Sequence, residues 1–238
     1  MATAGQRSAN SRRRGNQLPL LQDRLILNRF FCRQFGFENF REMRDYLRRG
    51  RHTEQEGWEE DGHSFLFHVL KNLPGCLVPP DKLAEYDLRI KGYVERLNHF
   101  RTPPVVLKYF QCLALLFTEI YLDRLFSDRE ALLGELNAFA LEENERLSPG
   151  DLSYSPFAAE DLNKLAFWMA TGSVKTLIMH INLWQYLAYS KKNTGIFCSL
   201  PPMKACRANT WNSFGRAVLL PCATEKAPVC SLHPAILQ

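Results

Sequence analysis

No apolar run in this sequence reaches the roughly 18 residues needed to span a bilayer, and no charged start, apolar core and small-residue cleavage site open it. The expected location is therefore the cytoplasm. Seven cysteines show no paired C-x-x-C spacing, so the usual signature of a zinc or redox site is missing. Cys32, Cys76 and Cys112 lie within helical patterns and read as buried thiols. Cys198, Cys206, Cys222 and Cys230 crowd the last fifth of the chain near His233, a thin basis for a metal site. Acid is scarce late in the chain: after Thr176 the sole acidic residue is Glu225. His63, His68, His99 and His180 have no carboxylate or cysteine at a spacing that marks catalysis, which leaves them as packed or exposed histidines.

The 238 residues carry a formal charge of +5 and an ordinary share of apolar and charged side chains, which names no function. Residues 1–17 hold Arg7, Arg12, Arg13 and Arg14 among Ser, Ala, Gly and Asn, and read as a disordered basic leader. Such a tail is a solvated segment or, on a sharper reading, a nucleic-acid contact.

From residue 18 to 147 the apolar residues recur at helical spacing, and a helical domain is expected there. "LPLLQDRLILNRFFCRQFGF" is closed by Gly36, and "ENFREMRDYLRRG" is a short amphipathic helix stopped by Gly50. "RHTEQEGWEEDG" is too polar to be more than a loop. "HSFLFHVLKNL" ends at Pro74 and Gly75, and "PPDKLAEYDLRIKGYVERLNHF" has Pro and Asp at its start, as helices prefer. The apolar pattern from Val105 onward divides near Ser127, with Asp128 as cap of the second helix. Phe110, Phe117 and Tyr121 read as core, with an interface role as the alternative.

Residues 148–162 gather Ser, Pro, Gly and Asp and read as a linker. Within residues 163–192, "NKLAFWMA" fits a buried strand and "VKTLIMHINLWQYLAYSKK" returns to helical spacing. Strand, tight turn and helix open a parallel α/β unit. Between strand and helix lies "ATGSVKT". A phosphate loop works because successive backbone N–H groups line a concavity at a helix N-terminus and a lysine reaches the outer phosphates. Lys175 stands where that lysine belongs, and Thr176 where a hydroxyl would hold Mg²⁺.

"MATGSVKT" resembles the first motif of superfamily-two DEAD/DEAH-like helicases, and most closely the type III restriction enzyme Res-subunit branch. The resemblance covers residues 163–192. It implies the start of a P-loop α/β (RecA-like) lobe, incomplete in this chain, so that with the helical spacing before it the expected fold is a mainly α N-terminal domain followed by that lobe. It further implies ATP and Mg²⁺ as cofactors and DNA, ahead of RNA, as the nucleic-acid partner, beside an unidentified restriction-modification partner. Thr171, Gly172, Ser173, Val174, Lys175 and Thr176 would line the nucleotide site, with Thr176 on the metal.

Two features depart from the family. Val174 replaces the glycine whose backbone the loop needs free of a Cβ. A β-branched residue in left-handed space costs on the order of 1–2 kcal/mol, so nucleotide affinity should fall at least tenfold, for which about 1.4 kcal/mol suffices. The DExH-type acidic motif and the late arginine motif, which bind Mg²⁺ and stabilise transferred phosphate in intact relatives, are also missing. Residues 193–238 are rich in Cys and Pro and keep no sustained period. Read two bases later, codons for "PPMKACRANTW" permit Pro-Asn-Glu-Gly-Leu-Ser-Arg-Gln-His-Leu, which resembles a segment that follows the loop in this helicase branch. That segment is accordingly read as out of frame. The sequence thus carries two readings. One is a truncated helicase, inactive as this chain; the other is a helical protein–protein interaction module without nucleotide binding.

Overall fold

A computed structural model describes residues 24–99, 101–149, 151–167 and 175–190. Among them are seven α-helices: α1 (Ile26–Gln34), α2 (Phe40–Arg49), α3 (Phe65–Lys71), α4 (Pro80–Asn98), α5 (Tyr109–Ser127), α6 (Arg129–Glu145) and α7 (Lys175–Ser190). The described part is mainly α, as the apolar spacing predicts. Its extended pairing is limited to one isolated bridge, between Trp58 and Ser64.

Helix ends follow local chemistry. The side chain of Asn39 caps α2 by accepting from Glu42 N at 3.0 Å, and Ser64 caps α3 by accepting from Phe67 N at 3.0 Å. Pro80 occupies the first turn of α4, where its missing N–H leaves no intrahelical bond unmade. Asp128 accepts from Ala131 N at 2.9 Å and separates α5 from α6, as the sequence predicts. Gly36 closes α1 with a φ of +80°, a conformation that disfavours any Cβ. The same glycine lets the α3–α4 connection pass closely: a Cβ at Gly36 would lie 2.8 Å from the Cα of Gly75. Leu77 N donates to Gln34 O at 2.7 Å beside that crossing.

Helix α5 is apolar around most of its circumference, and such a helix is stable only when surrounded. It packs against α4 and α6; α4 also meets α3, and α1 meets α2 and α6. Phe117 stacks on Phe31 at 5.2 Å and on Phe35 at 6.0 Å between ring centroids, while Phe30 meets Phe139 edge-on at 5.6 Å. Tyr121 is buried and Phe117 packs against the buried core, so both serve the core in this fold.

The stretch expected to be a linker is tied down along α6. Asn144 donates to Tyr154 O at 2.9 Å and accepts from Tyr154 N at 2.6 Å. Asn137 does the same with Phe157, at 3.1 Å and 2.6 Å. Each amide acts as a one-residue substitute for a strand partner. Their spacing explains the register: seven helical residues rise about 10.5 Å, and three extended residues cover about 10 Å. The extended segment therefore runs antiparallel to α6. A 3-10 turn (Ala159–Asn163) follows, and the buried Leu162 accepts from the Tyr121 hydroxyl at 2.7 Å through its carbonyl. Pro, Ser and Asp here shape a bound strap rather than a free linker.

The strand expected over 163–170 is not observed across its described half. Asn163 ends the 3-10 turn and 164–167 form no ladder with any described segment. Residues 168–170 lie outside the described residues.

Candidate functional site

Of the six residues expected to line a nucleotide site, Thr171, Gly172, Ser173 and Val174 lie outside the described residues. Lys175 and Thr176 are described, and they form the first turn of α7. Lys175 is exposed and Thr176 half-buried, and no acidic side chain occupies that turn. The positive end of the helix dipole and the lysine thus share one place. One turn on, the ring of His180 donates from Nδ1 to Thr176 O at 2.7 Å. A backbone carbonyl only accepts, so this bond puts the imidazole proton on Nδ1.

Below this turn α7 buries Leu177, Ile178, Ile181, Gln185 and Tyr189, spaced one to four residues apart along one face. The apolar members join the same cluster as the cores of α1, α4, α5 and α6. The polar members converge on Glu119 of α5, whose side chain is fully buried. Gln185 Nε2 donates to Glu119 Oε1 at 2.9 Å and to Leu115 O at 3.0 Å, and the Tyr189 hydroxyl donates to Glu119 Oε2 at 2.7 Å. Arg89 Nη1 of α4 stands 3.8 Å from the same carboxylate and its guanidinium lies over the Tyr189 ring, 4.9 Å from the centroid.

Burial raises the pKa of Glu119 above the ordinary carboxylate range, against the lowering effect of the Tyr189 and Gln185 bonds and of Arg89. Burial, with the neighbouring Glu119 charge, likewise raises the Tyr189 hydroxyl and pushes the Tyr93 hydroxyl up to about 12. Both hydroxyls therefore keep their protons near neutrality. The cluster holds helices together; it offers no open face to a substrate.

A second buried carboxylate, Glu143 of α6, sits between α1 and α6. It pairs with Arg29, with Arg33 at 3.5 Å and with Arg146 at 3.3 Å. Burial raises its pKa and the arginines at 29 and 33 oppose that rise.

Tertiary structure gives two histidines the acidic partners that sequence spacing does not reveal. His63 Nδ1 lies 3.1 Å from Asp87 Oδ2, and His68 Nε2 lies 3.1 Å from Asp61 and 3.7 Å from Glu59. Ser64 is adjacent, but no catalytic triad results. Its hydroxyl donates to Asp87 Oδ1 at 2.5 Å and accepts from Phe67 N, so serine and histidine both bond the aspartate rather than each other. Asp87 ties the start of α3 to α4. The cavity beside it, lined by Trp58, Phe67, Leu83 and Cys112 among others, has room for about one water. The Glu59, Asp61 and His68 atoms lie within 4.8 Å of one another on the surface. They could hold a cation, but paired exposed acids and histidine need none.

No described helix is long and apolar enough to cross a membrane. No protein-family model, curated protein or solved structure matches the chain.

Proposed function

We propose that this chain is the amino-terminal part of an ATP-dependent DNA or RNA helicase or restriction-type translocase. In this reading residues 171–176 are the nucleotide loop of an incomplete RecA-like lobe. Lys175 contacts the outer phosphates of ATP, and the Thr176 hydroxyl contacts Mg²⁺. DNA is the preferred track. The observation that carries the reading is that the sequence "TGSVKT" runs into α7, with Lys175 and Thr176 both within its described residues, as the lysine and hydroxyl of a phosphate loop are placed. Val174 weakens the site, and with Glu225 as the sole acid after Thr176 the chain is not expected to hydrolyse ATP.

The second reading is a helical interaction module that binds no nucleotide. It is favoured by the seat of α7, which lies on the helical core through Glu119. Hydrogen exchange of the backbone around Lys175 separates the two. Protection by saturating ATP–Mg²⁺ that is lost in Lys175→Ala supports the motor reading. Exchange unchanged by nucleotide supports the interaction module.

A further inference from the structure

Trp58 and Ser64 face each other across the isolated antiparallel bridge that closes the loop before α3, and inside it Glu59 N donates to His63 O at 2.8 Å. Residues opposed in this way carry their side chains on one face, with Cβ atoms about 4.5–5.5 Å apart. The Trp58 indole is thereby set beside the Ser64–Asp87 pair. Its Nε1 is buried and has no hydrogen-bond partner among the described residues. A buried N–H left unpaired destabilises a fold, and nearly all such groups are bonded to protein or to ordered water.

The neighbouring acceptor has capacity to spare. Asp87 accepts from Ser64 Oγ at 2.5 Å through Oδ1, and from Ser64 N at 2.9 Å and His63 Nδ1 at 3.1 Å through Oδ2. A carboxylate offers about four lone-pair positions, so one stays open. Trp58, Ser64, Asp87 and Cys112 all line the cavity with room for about one water, whose other walls are apolar and include Phe67 and Leu83. Burial, with the charge of Asp87, pushes the Cys112 thiol up to about 12, so it stays neutral.

A donor on one side and an acceptor on the other fix the class of occupant. An anion would meet the Asp87 carboxylate, a metal cation would meet the indole N–H, and the size of the cavity excludes anything larger than one heavy atom. A single oxygen that both accepts and donates suits both groups. We propose that this cavity is the site of an internal water that accepts from Trp58 Nε1 and donates to Asp87. Under either functional reading, the water ties the polar loop 51–63 to α4 through the aspartate that also holds the cap of α3. It accounts for a loop rich in charge keeping its tryptophan packed against the core.

The test uses the full chain, which has four tryptophans. The indole N–H resonance that is lost in Trp58→Phe should show, in the wild type, an Overhauser effect to water with the sign of a long-lived hydration site. Relaxation dispersion of oxygen-labelled water, to which hydroxyl and thiol protons do not contribute, should lose one long-lived water in Cys112→Val, whose added carbon fills the cavity. Circular dichroism checks the fold. Absence of the Overhauser effect overturns the proposal. So does an effect accompanied by equal oxygen dispersion in wild type and folded Cys112→Val, which would assign the signal to the Ser64 hydroxyl. If Cys112→Val does not fold, Ser64→Ala makes the same distinction: persistence of the effect supports the water, and its loss overturns it. Exchange of the Trp58 indole proton as fast as that of an exposed indole would show that the N–H reaches bulk solvent, and equally overturns the proposal.

Discussion

Tyr189 and Glu119 are 70 residues apart in sequence and joined by a 2.7 Å hydrogen bond in the core. That bond fastens the last turn of α7 to the middle of α5. Removing the hydroxyl in Tyr189→Phe keeps the ring and leaves one buried carboxylate oxygen without its donor. A loss of about 1–3 kcal/mol in urea unfolding is expected, with the largest gain in hydrogen exchange along α7. An unchanged urea midpoint would show that the seat of α7 does not depend on this bond.

Glu119 also sets a pH dependence. Burial holds its folded pKa above the ordinary carboxylate range. The folded state therefore holds the proton at a pH where the unfolded chain has lost it, and stability falls as pH rises from the unfolded pKa through the folded one. Arg89, Asp123, Tyr93 and Tyr189 are the charged or titratable groups around it. Glu119→Gln removes the titration while keeping an acceptor, so its stability should decline less than that of wild type as pH rises above the ordinary carboxylate range. Parallel curves for the two proteins would contradict the assignment.

Glycines at different places should respond with opposite signs. Gly36→Ala forces a Cβ into a φ of +80° and to 2.8 Å from Gly75 Cα, and should cost about 2 kcal/mol or more. Gly92 and Gly134 lie within α4 and α6 with nothing within 4 Å of an added Cβ. Alanine at either should raise stability by about 0.5–1 kcal/mol. Thermal melts of the three single variants read all the signs together.

Asn137→Ala or Asn144→Ala each removes a two-bond link to the strap, and protease cleavage within 151–158 should accelerate in both. Asn144→Asp is the informative intermediate. Its carboxylate can still accept from Tyr154 N but cannot donate to Tyr154 O. Cleavage as slow as wild type in the alanine variants would mean that apolar packing of Tyr154 and Leu162 alone retains the strap.

Val174→Gly restores the residue type a phosphate loop requires. If the motor reading holds, ATP–Mg²⁺ affinity should rise at least tenfold by calorimetry, equivalent to about 1.4 kcal/mol. Lys175→Ala in that background should abolish the gain. No binding by Val174→Gly would leave the helical interaction module as the function to pursue.

Most of the helices were legible in the sequence because their causes are local. Apolar spacing placed them, Asp128 marked the break between α5 and α6, Pro80 the start of α4 and Gly36 the end of α1. The amphipathic character of α2 and the helical spacing that follows Lys175 could also be read directly. Residues 148–162 show what composition leaves open. Ser, Pro and Asp exclude regular structure, but they do not reveal whether irregular backbone finds partners, and here Asn137 and Asn144 provide them. Their seven-residue spacing was the available signal.

Short-range features are therefore the ones legible in the residues alone: helices, caps, the polar loop before α3 and the motif at residues 171–176. That α7 rests on Glu119, that Asp87 holds both His63 and Ser64, and that Glu143 sits among three arginines emerges once the helices are assembled. A cap or a helical face is fixed by neighbours within a few residues, whereas a buried carboxylate acquires its partners only when separate helices are brought together at one depth and orientation.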